Sequence, residues 1–145
     1  MAVSKATIYE NIFKEIYDLV VAISGFSSIV FPSFPESVLD ASSDYPVVVI
    51  ESPDVSWDTF TMKKNILNGT IAIDIYTTTA KDTDVKSSAV NNKIELSKTT
   101  LATAGLQKVH LESTTSDMVL HGKIKVFIKT LTFAYMFTSA KARAF

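Results

Sequence analysis

The segment Thr70–Tyr76 alternates strictly between isoleucine and other residues: Thr-Ile-Ala-Ile-Asp-Ile-Tyr. Successive side chains of a β-strand point to opposite faces of the sheet, so the three isoleucines share one face while Thr70, Asp74 and Tyr76 share the other. Such a strand buries one side and exposes the other. The pattern predicts a sheet that is covered by helices on one face only.

Length and composition fit a single domain spanning residues 1–145. The chain is 47% apolar and 20% charged, which is typical of a globular protein. It has no cysteine, which excludes disulfides and thiolate metal sites and favours a reducing cytoplasm. No signal peptide or membrane span is expected, because the longest uncharged run, Leu19–Pro35, is interrupted by serine, glycine and proline. Residues 140–145 are predicted to form a flexible basic tail.

Charge is distributed unevenly along the chain. Residues 1–60 carry nine acids against two lysines, whereas residues 61–145 carry twelve bases against six acids. If the fold keeps these segments apart, copies of the chain attract each other head to tail, and such contacts can close into a ring. If the two halves instead interleave in one sheet, the asymmetry averages out. The sequence leaves both alternatives open.

The first part of the chain predicts a helix followed by an ordered loop. Apolar residues recur at steps of three and four from about Ser4 to Ser24, and Gly25 is placed to end this amphipathic helix. The segment Phe26–Asp44 is rich in serine and proline but also aromatic, which is unusual for a flexible linker. We expect a loop with three phenylalanines in the core: Phe26, Phe31 and Phe34.

A buried strand and a hairpin are predicted next. Val47–Ile50 is β-branched throughout and typical of a buried strand. Val55–Lys64 alternates less cleanly and suggests a strand not covered by its own domain, which forms a hairpin with the isoleucine strand. Its turn falls either at Lys63-Lys64-Asn65 or at Asn68-Gly69, since Asn-Gly favours a two-residue turn.

The second half predicts a helix with a narrow apolar stripe, from about Asp82 or Asp84 to Ala104 and ended by Gly105. A short strand, Leu106–Glu112, and a turn at Thr114–Asp117 follow.

The closing strand changes its pattern part-way. Its apolar residues occupy even positions from Ile124 to Ile128 and odd positions from Leu131 to Phe137. Either a single-residue bulge or a strand whose halves bury opposite faces produces this switch.

Few residues suggest catalysis. The histidines, His110 and His121, have no metal-ligand spacing around them, and the four glycines form no phosphate-binding loop. Asp74 could join Glu51 or Asp117 in a Mg²⁺ site, as in a small metal-dependent nuclease. A solvent-side strand position explains Asp74 more simply, so no catalytic residue, metal site or cofactor is expected.

Several lysines could form a basic patch if the hairpin and the last strand are neighbours. Such a patch could bind the phosphate backbone of a nucleic acid. Lysines at a sheet edge also prevent aggregation between sheets, and this role requires no binding partner. Sequence-specific DNA binding is disfavoured, because no helix combines basic residues with base-reading side chains. The lysines concerned are Lys63, Lys64, Lys123, Lys125 and Lys129.

The order of these parts is distinctive over nearly the whole chain. An amphipathic helix and a loop precede Tyr45–Ile50, a polar hairpin leads to Ile71–Tyr76, and a second helix leads to the closing strand Leu131–Phe137. This order resembles the tail terminator proteins of long-tailed, lambda-like siphovirus bacteriophages. Related tail-to-head joining and tail completion proteins share it.

The resemblance implies an α+β subunit, with a mostly antiparallel twisted sheet, two helices packed on one face and an extended β-hairpin. It implies a non-enzymatic virion protein, assembled in the host cytoplasm and located in the tail or neck. Its homohexameric ring would cap the tail tube, terminate tube polymerisation and dock the head. The implied partners are copies of itself, the tail tube protein and the head–tail connector or neck proteins; DNA would pass through without sequence-specific binding, and no membrane is involved.

Matched onto this chain, the family's neighbour-contacting hairpin is Val55–Leu67. The candidate subunit contacts on it are Trp57, Phe60, Met62, Lys63 and Lys64. The resemblance assigns no role to the basic tail, whose candidates for docking a partner are Lys141, Arg143 and Phe145. A tail-to-head joining protein of the same fold is the alternative function, and a small metal-dependent nuclease is the less favoured one.

Overall fold

A computed structural model of the protein describes residues 8–32, 45–59, 64–121 and 123–140. The α+β fold is confirmed. Within these ranges, the helices are α1 (Ile8–Val21), α2 (Ala80–Leu96) and α3 (Lys98–Thr103). The strands of the same ranges are β1 (Val30–Phe31), β2 (Val47–Ile50), β3 (Asp54–Thr59), β4 (Lys64–Thr77), β5 (Gln107–His121) and β6 (Ile124–Ala140).

The long strand β4 organises the sheet. One edge of β4 pairs with β6 over its whole length, and the other edge is shared by two short strands. β2 pairs with Ile73–Tyr76, and β3 pairs with Asn65–Thr70. β1 adds parallel to β2, while β5 adds antiparallel to β6, so the main order is β1-β2-β4-β6-β5. The strands from the acidic first sixty residues thus lie on one side of β4 and the later strands on the other, which contradicts an interleaved sheet.

The main core lies between the helices and the isoleucine face of β4. Ile71, Ile73 and Ile75 are at most 1% exposed and pack in one cluster with residues of α1 and α2. The alternation at Thr70–Tyr76 therefore predicts the buried face correctly. The remaining large members of the cluster come from both neighbouring strands and the helices, among them Val48, Ile50, Leu131, Phe133, Ile12, Ile16, Val90 and Ile94.

Helix α1 ends at Val21, three residues before the predicted end. The chain then turns, and Gly25 adopts a φ of +85°, the left-handed conformation that glycine takes without strain. Phe26 enters the core as predicted. Phe31, in contrast, packs in a second apolar cluster, because its short strand β1 places it beside β2. Phe34 lies outside the described residues.

The second helical segment is divided at Ser97, which corrects the prediction of one continuous helix to Ala104. It also begins earlier, at Ala80, because the Thr79 hydroxyl accepts a hydrogen bond from the Asp82 N–H at 3.1 Å. The narrow stripe is confirmed. Part of its buried surface is polar, and Ser87 satisfies its own hydroxyl by donating to the Thr83 carbonyl at 2.7 Å.

No turn occurs at Thr114–Asp117. Strand β5 continues through this segment to His121, with Thr115 paired opposite Thr130 and Ser116 opposite Lys129. The prediction was wrong because a run of Thr and Ser signals a turn only in isolation; here β6 pairs with its backbone, and threonine is well suited to an exposed strand.

The pattern switch in β6 comes from burial on opposite faces. The register between β6 and β4 runs without a break, which excludes a bulge against β4. Leu131 and Phe133 belong to the main core. Val126 belongs to the second cluster, with Val47 and Val49, on the opposite face of the sheet.

The hairpin formed by β3 and β4 turns between Thr59 and Asn65, which are paired. Residues 60–63, between the two strands in the sequence, lie outside the described part of the chain. Asn68 and Gly69 are strand residues opposite Ser56 and Val55, so Asn-Gly is not the turn.

A candidate assembly surface

The face of the sheet opposite the helices is the open face, defined by the even-numbered residues 68–76 of β4. Its side chains are half-buried or exposed rather than sealed in a core. The second cluster lies at one end of this face, where Tyr45, Val47, Val49 and Val126 are at most 9% exposed. Its partly buried members are Phe31, Tyr76, Ile124 and Ile128. None of the helices in the described ranges contributes a residue to it.

The base of the β3–β4 hairpin depends on a glycine. Gly69 pairs with Val55 on one side and Tyr135 on the other. A Cβ atom added to Gly69 would lie 2.1 Å from the Asp54 carbonyl oxygen and 2.6 Å from the Tyr135 hydroxyl oxygen. The Tyr135 hydroxyl occupies this space and donates a hydrogen bond to the Asp54 carbonyl at 3.0 Å. The tyrosine thereby connects β6 to β3 across β4.

Two carboxyl groups meet where β2 ends. The side chains of Glu51 and Asp74 are hydrogen-bonded, and the Glu51 N–H donates to the Ala72 carbonyl at 2.9 Å. Glu51 is exposed as a residue, but partial burial of its carboxyl group raises the pKa of that group to about 7. The hydrogen bond with Asp74 and the charge of Asp74 raise this pKa as well. Asp74 also accepts a 2.6 Å hydrogen bond from Thr130. A protonated Glu51 can donate to Asp74, so the pair connects the β2–β3 junction to β4.

The same geometry bears on the nuclease alternative. Asp117 lies two strands and two residues away from Asp74, roughly 12 Å at normal sheet spacings. Its carboxylate accepts a hydrogen bond from the Met118 N–H at 2.8 Å. The structure therefore brings Glu51 to Asp74 but leaves Asp117 apart. Within the described ranges, no three acidic or histidine residues are grouped closely enough to hold a metal ion.

The long hairpin formed by β5 and β6 exposes apolar surface. Every side chain from Glu112 to Leu120 is exposed, and the exposed fractions are 47% for Met118, 41% for Val119 and 67% for Leu120. Lys123 and Lys125 are exposed beside the turn. Sequence reasoning missed this hairpin because it placed a turn inside β5.

The described lysines of the predicted set do not form one patch, and Lys63 lies outside the described residues. Lys129 points to the helix side and forms an ion pair with Asp84 of α2 at 2.5 Å. Lys123 and Lys125 lie near the β5–β6 turn, whereas Lys64 pairs with Ala140 at the other end of the β4–β6 ladder. The predicted basic patch is therefore split.

An open groove of about 580 Å³ lies between β3, β4, β6 and β5. Lys108 beside it has a φ of +54°, at the first of two irregularities in the pairing of β5 with β6. His110 is exposed, and its Nδ1 lies 2.8 Å from the Lys108 carbonyl. The other residues that line the groove are Asp54, Asn68, Gly69, Thr70, Glu112, Ala134, Tyr135 and Met136.

Of the predicted contact residues, the structure describes only backbone positions. Trp57 lies in β3 opposite Leu67, and Lys64 begins β4. The others lie outside the described residues: Phe60, Met62, Lys63, Lys141, Arg143 and Phe145.

In the described part of the chain, no helix has the length and apolar character needed to cross a membrane. No model of a known protein family matches the sequence, and no curated protein matches it. Among solved structures, the chain is similar to one from the "Virion of native gene transfer agent (GTA) particle". The match covers 86% of this chain and 92% of that chain, at 13% identity and a TM-score of 0.45.

Proposed function

We propose that the protein is a non-enzymatic structural component of a phage-type virion that assembles into a ring of identical subunits. In this proposal the ring caps the tail tube, terminates its polymerisation and offers a docking surface to the head. The proposed number of six subunits in the ring is taken from the tail terminator family, which the order of elements resembles.

The observation that carries the proposal is that, in the described ranges, helices cover only one face of the sheet. Helices cover the isoleucine face. One end of β4 pairs with β3 in a hairpin whose base requires Gly69. Such a subunit keeps strand edges and sheet surface available for other chains. In the described ranges, neither β3 nor β5 has a strand partner on its outer edge.

Charge supports assembly by head-to-tail contacts. The acidic segment supplies β1, β2 and β3 on one side of β4, and the basic segment supplies β5 and β6 on the other. Opposite charge on opposite sides of one subunit suits a heterologous contact, which closes into a ring when the rotation per subunit divides a full turn.

Light scattering on the full chain, alone and mixed with purified tail tubes, tests the proposal. We expect the protein to form rings that bind to the tubes, and the tubes should stop growing in length once the protein is added. A chain that stays monomeric at all concentrations and never binds tubes contradicts it. Negative-stain images of the same samples report the number of subunits in the ring.

Recruitment separates the tail terminator role from the head-joining alternative. Isolated tails and DNA-filled heads are offered to the protein in parallel. If the protein binds tails before heads, the result supports the tail terminator role. If it binds heads alone, the result favours the head-joining role instead.

A further inference from the structure

The two halves of strand β5 protect their outer edge differently. In the first half, the pairing with β6 shifts between Gln107 and His110 and again between Leu111 and Ser113, and Lys108 adopts a positive φ. Bulges and lysines are devices by which proteins stop another strand from adding to an edge. The first half therefore resists edge pairing.

The second half, Ser113–His121, has none of these devices. It pairs with β6 residue for residue, contains no lysine, proline or glycine, and has no other strand partner in the described ranges. Met118 and Leu120 are paired with Phe127 and Lys125, and both are exposed. A regular edge of this length, flanked by exposed apolar side chains, accepts an added strand.

We propose that the second half of β5 pairs, antiparallel, with the outer edge of β3 in a second copy of this chain. This inference rests on the proposed assembly function and names the surfaces that would meet. Each subunit then offers two different edges, so the contact is heterologous and can repeat around a ring.

Complementary charge favours a second copy of this chain as the partner of β5, and it favours an antiparallel orientation of the paired strands. Asp54 is exposed where β3 begins, next to the Glu51–Asp74 carboxyl pair, and Lys123 and Lys125 are exposed where β5 ends. An antiparallel pairing brings the end of β5 to the beginning of β3, so these acids and lysines become neighbours. A parallel pairing separates them, and an antiparallel pairing of β5 with a second β5 brings only single acids, Glu112 or Asp117, toward the lysines.

The absence of cysteine from the chain allows a direct test by disulfide trapping. On β5, Thr115→Cys, Asp117→Cys and Val119→Cys are separate variants, paired opposite Thr130, Ile128 and Val126 on the open-face side. Each is mixed in equal amounts with Ser56→Cys on β3, whose partner Asn68 also belongs to the open face. Three positions at two-residue steps cover neighbouring registers of one face.

The matched control is Ser116→Cys, one residue from two of these sites but paired with Lys129 on the helix side. Because a disulfide requires Cα atoms within about 7 Å and Cβ atoms that point toward each other, we expect at least one open-face variant to form roughly five-fold more heterodimer with Ser56→Cys than the control, whose Cβ points to the other face. Circular dichroism on each variant verifies that these exposed substitutions leave the fold intact.

Three results overturn the inference. Rings that form without any cross-link between β5 and β3 refute this contact but leave the proposed function intact. Efficient trapping of a β5 variant with itself indicates a two-fold β5–β5 contact instead. A chain that never self-associates refutes both the contact and the proposed assembly function.

Discussion

Tyr135 lies directly across from Gly69, and its hydroxyl donates to the Asp54 carbonyl, 3.0 Å away, through the space that a side chain on residue 69 would fill. The glycine is needed here for space rather than for backbone freedom. The contact between β6 and β3 at the base of the hairpin therefore requires that residue 69 has no side chain.

We expect Gly69→Ala to destabilise the subunit by about 3 kcal/mol, because the new Cβ must displace the Asp54 backbone or the tyrosine ring. Tyr135→Phe, which removes only the hydroxyl, should cost about 1 kcal/mol. Urea unfolding of both variants provides the comparison. A Gly69→Ala protein as stable as the native chain contradicts the close approach.

Ile73→Ala should lower the free energy of unfolding by roughly 2 to 5 kcal/mol, because Ile73 is fully buried in the main core. Ile128→Ala is the matched control on the open face, where that side chain is only partly buried in the second cluster. It should cost clearly less in the isolated subunit. Thermal melts measure both, and equal losses would mean that the open face is as well covered as the core.

The Glu51–Asp74 pair predicts a pH dependence of stability. The pKa of Glu51 is raised to about 7 in the folded chain from an ordinary value of 4.5, so the folded state holds this proton more tightly than the unfolded state. Stability from this group is fully present below about pH 4.5 and is lost as the pH rises through about 7.

Glu51→Gln should remove this component and flatten the fall in stability between about pH 4.5 and 7. Glu112→Gln, at an exposed carboxyl group on β5, is the control and should keep the native pH profile. Denaturant midpoints across the window give the slopes. A native slope in Glu51→Gln would rule out the carboxyl pair as its source.

Trp57→Ala should weaken assembly more than it weakens the subunit, because aromatic anchors at interfaces contribute a large share of binding energy. A loss of about 2 kcal/mol or more in association is typical of such an anchor. Light scattering over a concentration series measures assembly, and a thermal melt measures the subunit. Trp57→Phe is the conservative control, and an equal loss of stability and assembly would place Trp57 in the monomer core.

The sequence predicted the parts of the fold that depend on local periodicity. Isoleucines at every second position of Thr70–Tyr76 identified the buried face of β4, and the spacing of Ile12 and Ile16 identified α1. These patterns suffice because a strand or a helix sorts its own side chains between core and solvent. The narrow apolar stripe of the second helical segment was also predicted correctly, but the division of that segment at Ser97 was not.

Only the tertiary structure decided features that need a second segment. Asn68-Gly69 is a good turn on its own, yet it lies inside β4 because β3 and β6 pair on both sides of it. Thr114–Asp117 likewise becomes strand because β6 supplies its hydrogen bonds.

The candidate site divides in the same way. By itself, the sequence determined that this protein has a one-sided sheet, no cysteine and opposite charges in its two halves. The meeting of Glu51 with Asp74, the face switch in β6 and the exposed second half of β5 arise from strand order and register. Those were decided only in three dimensions, because pairing between strands joins residues that no local pattern connects.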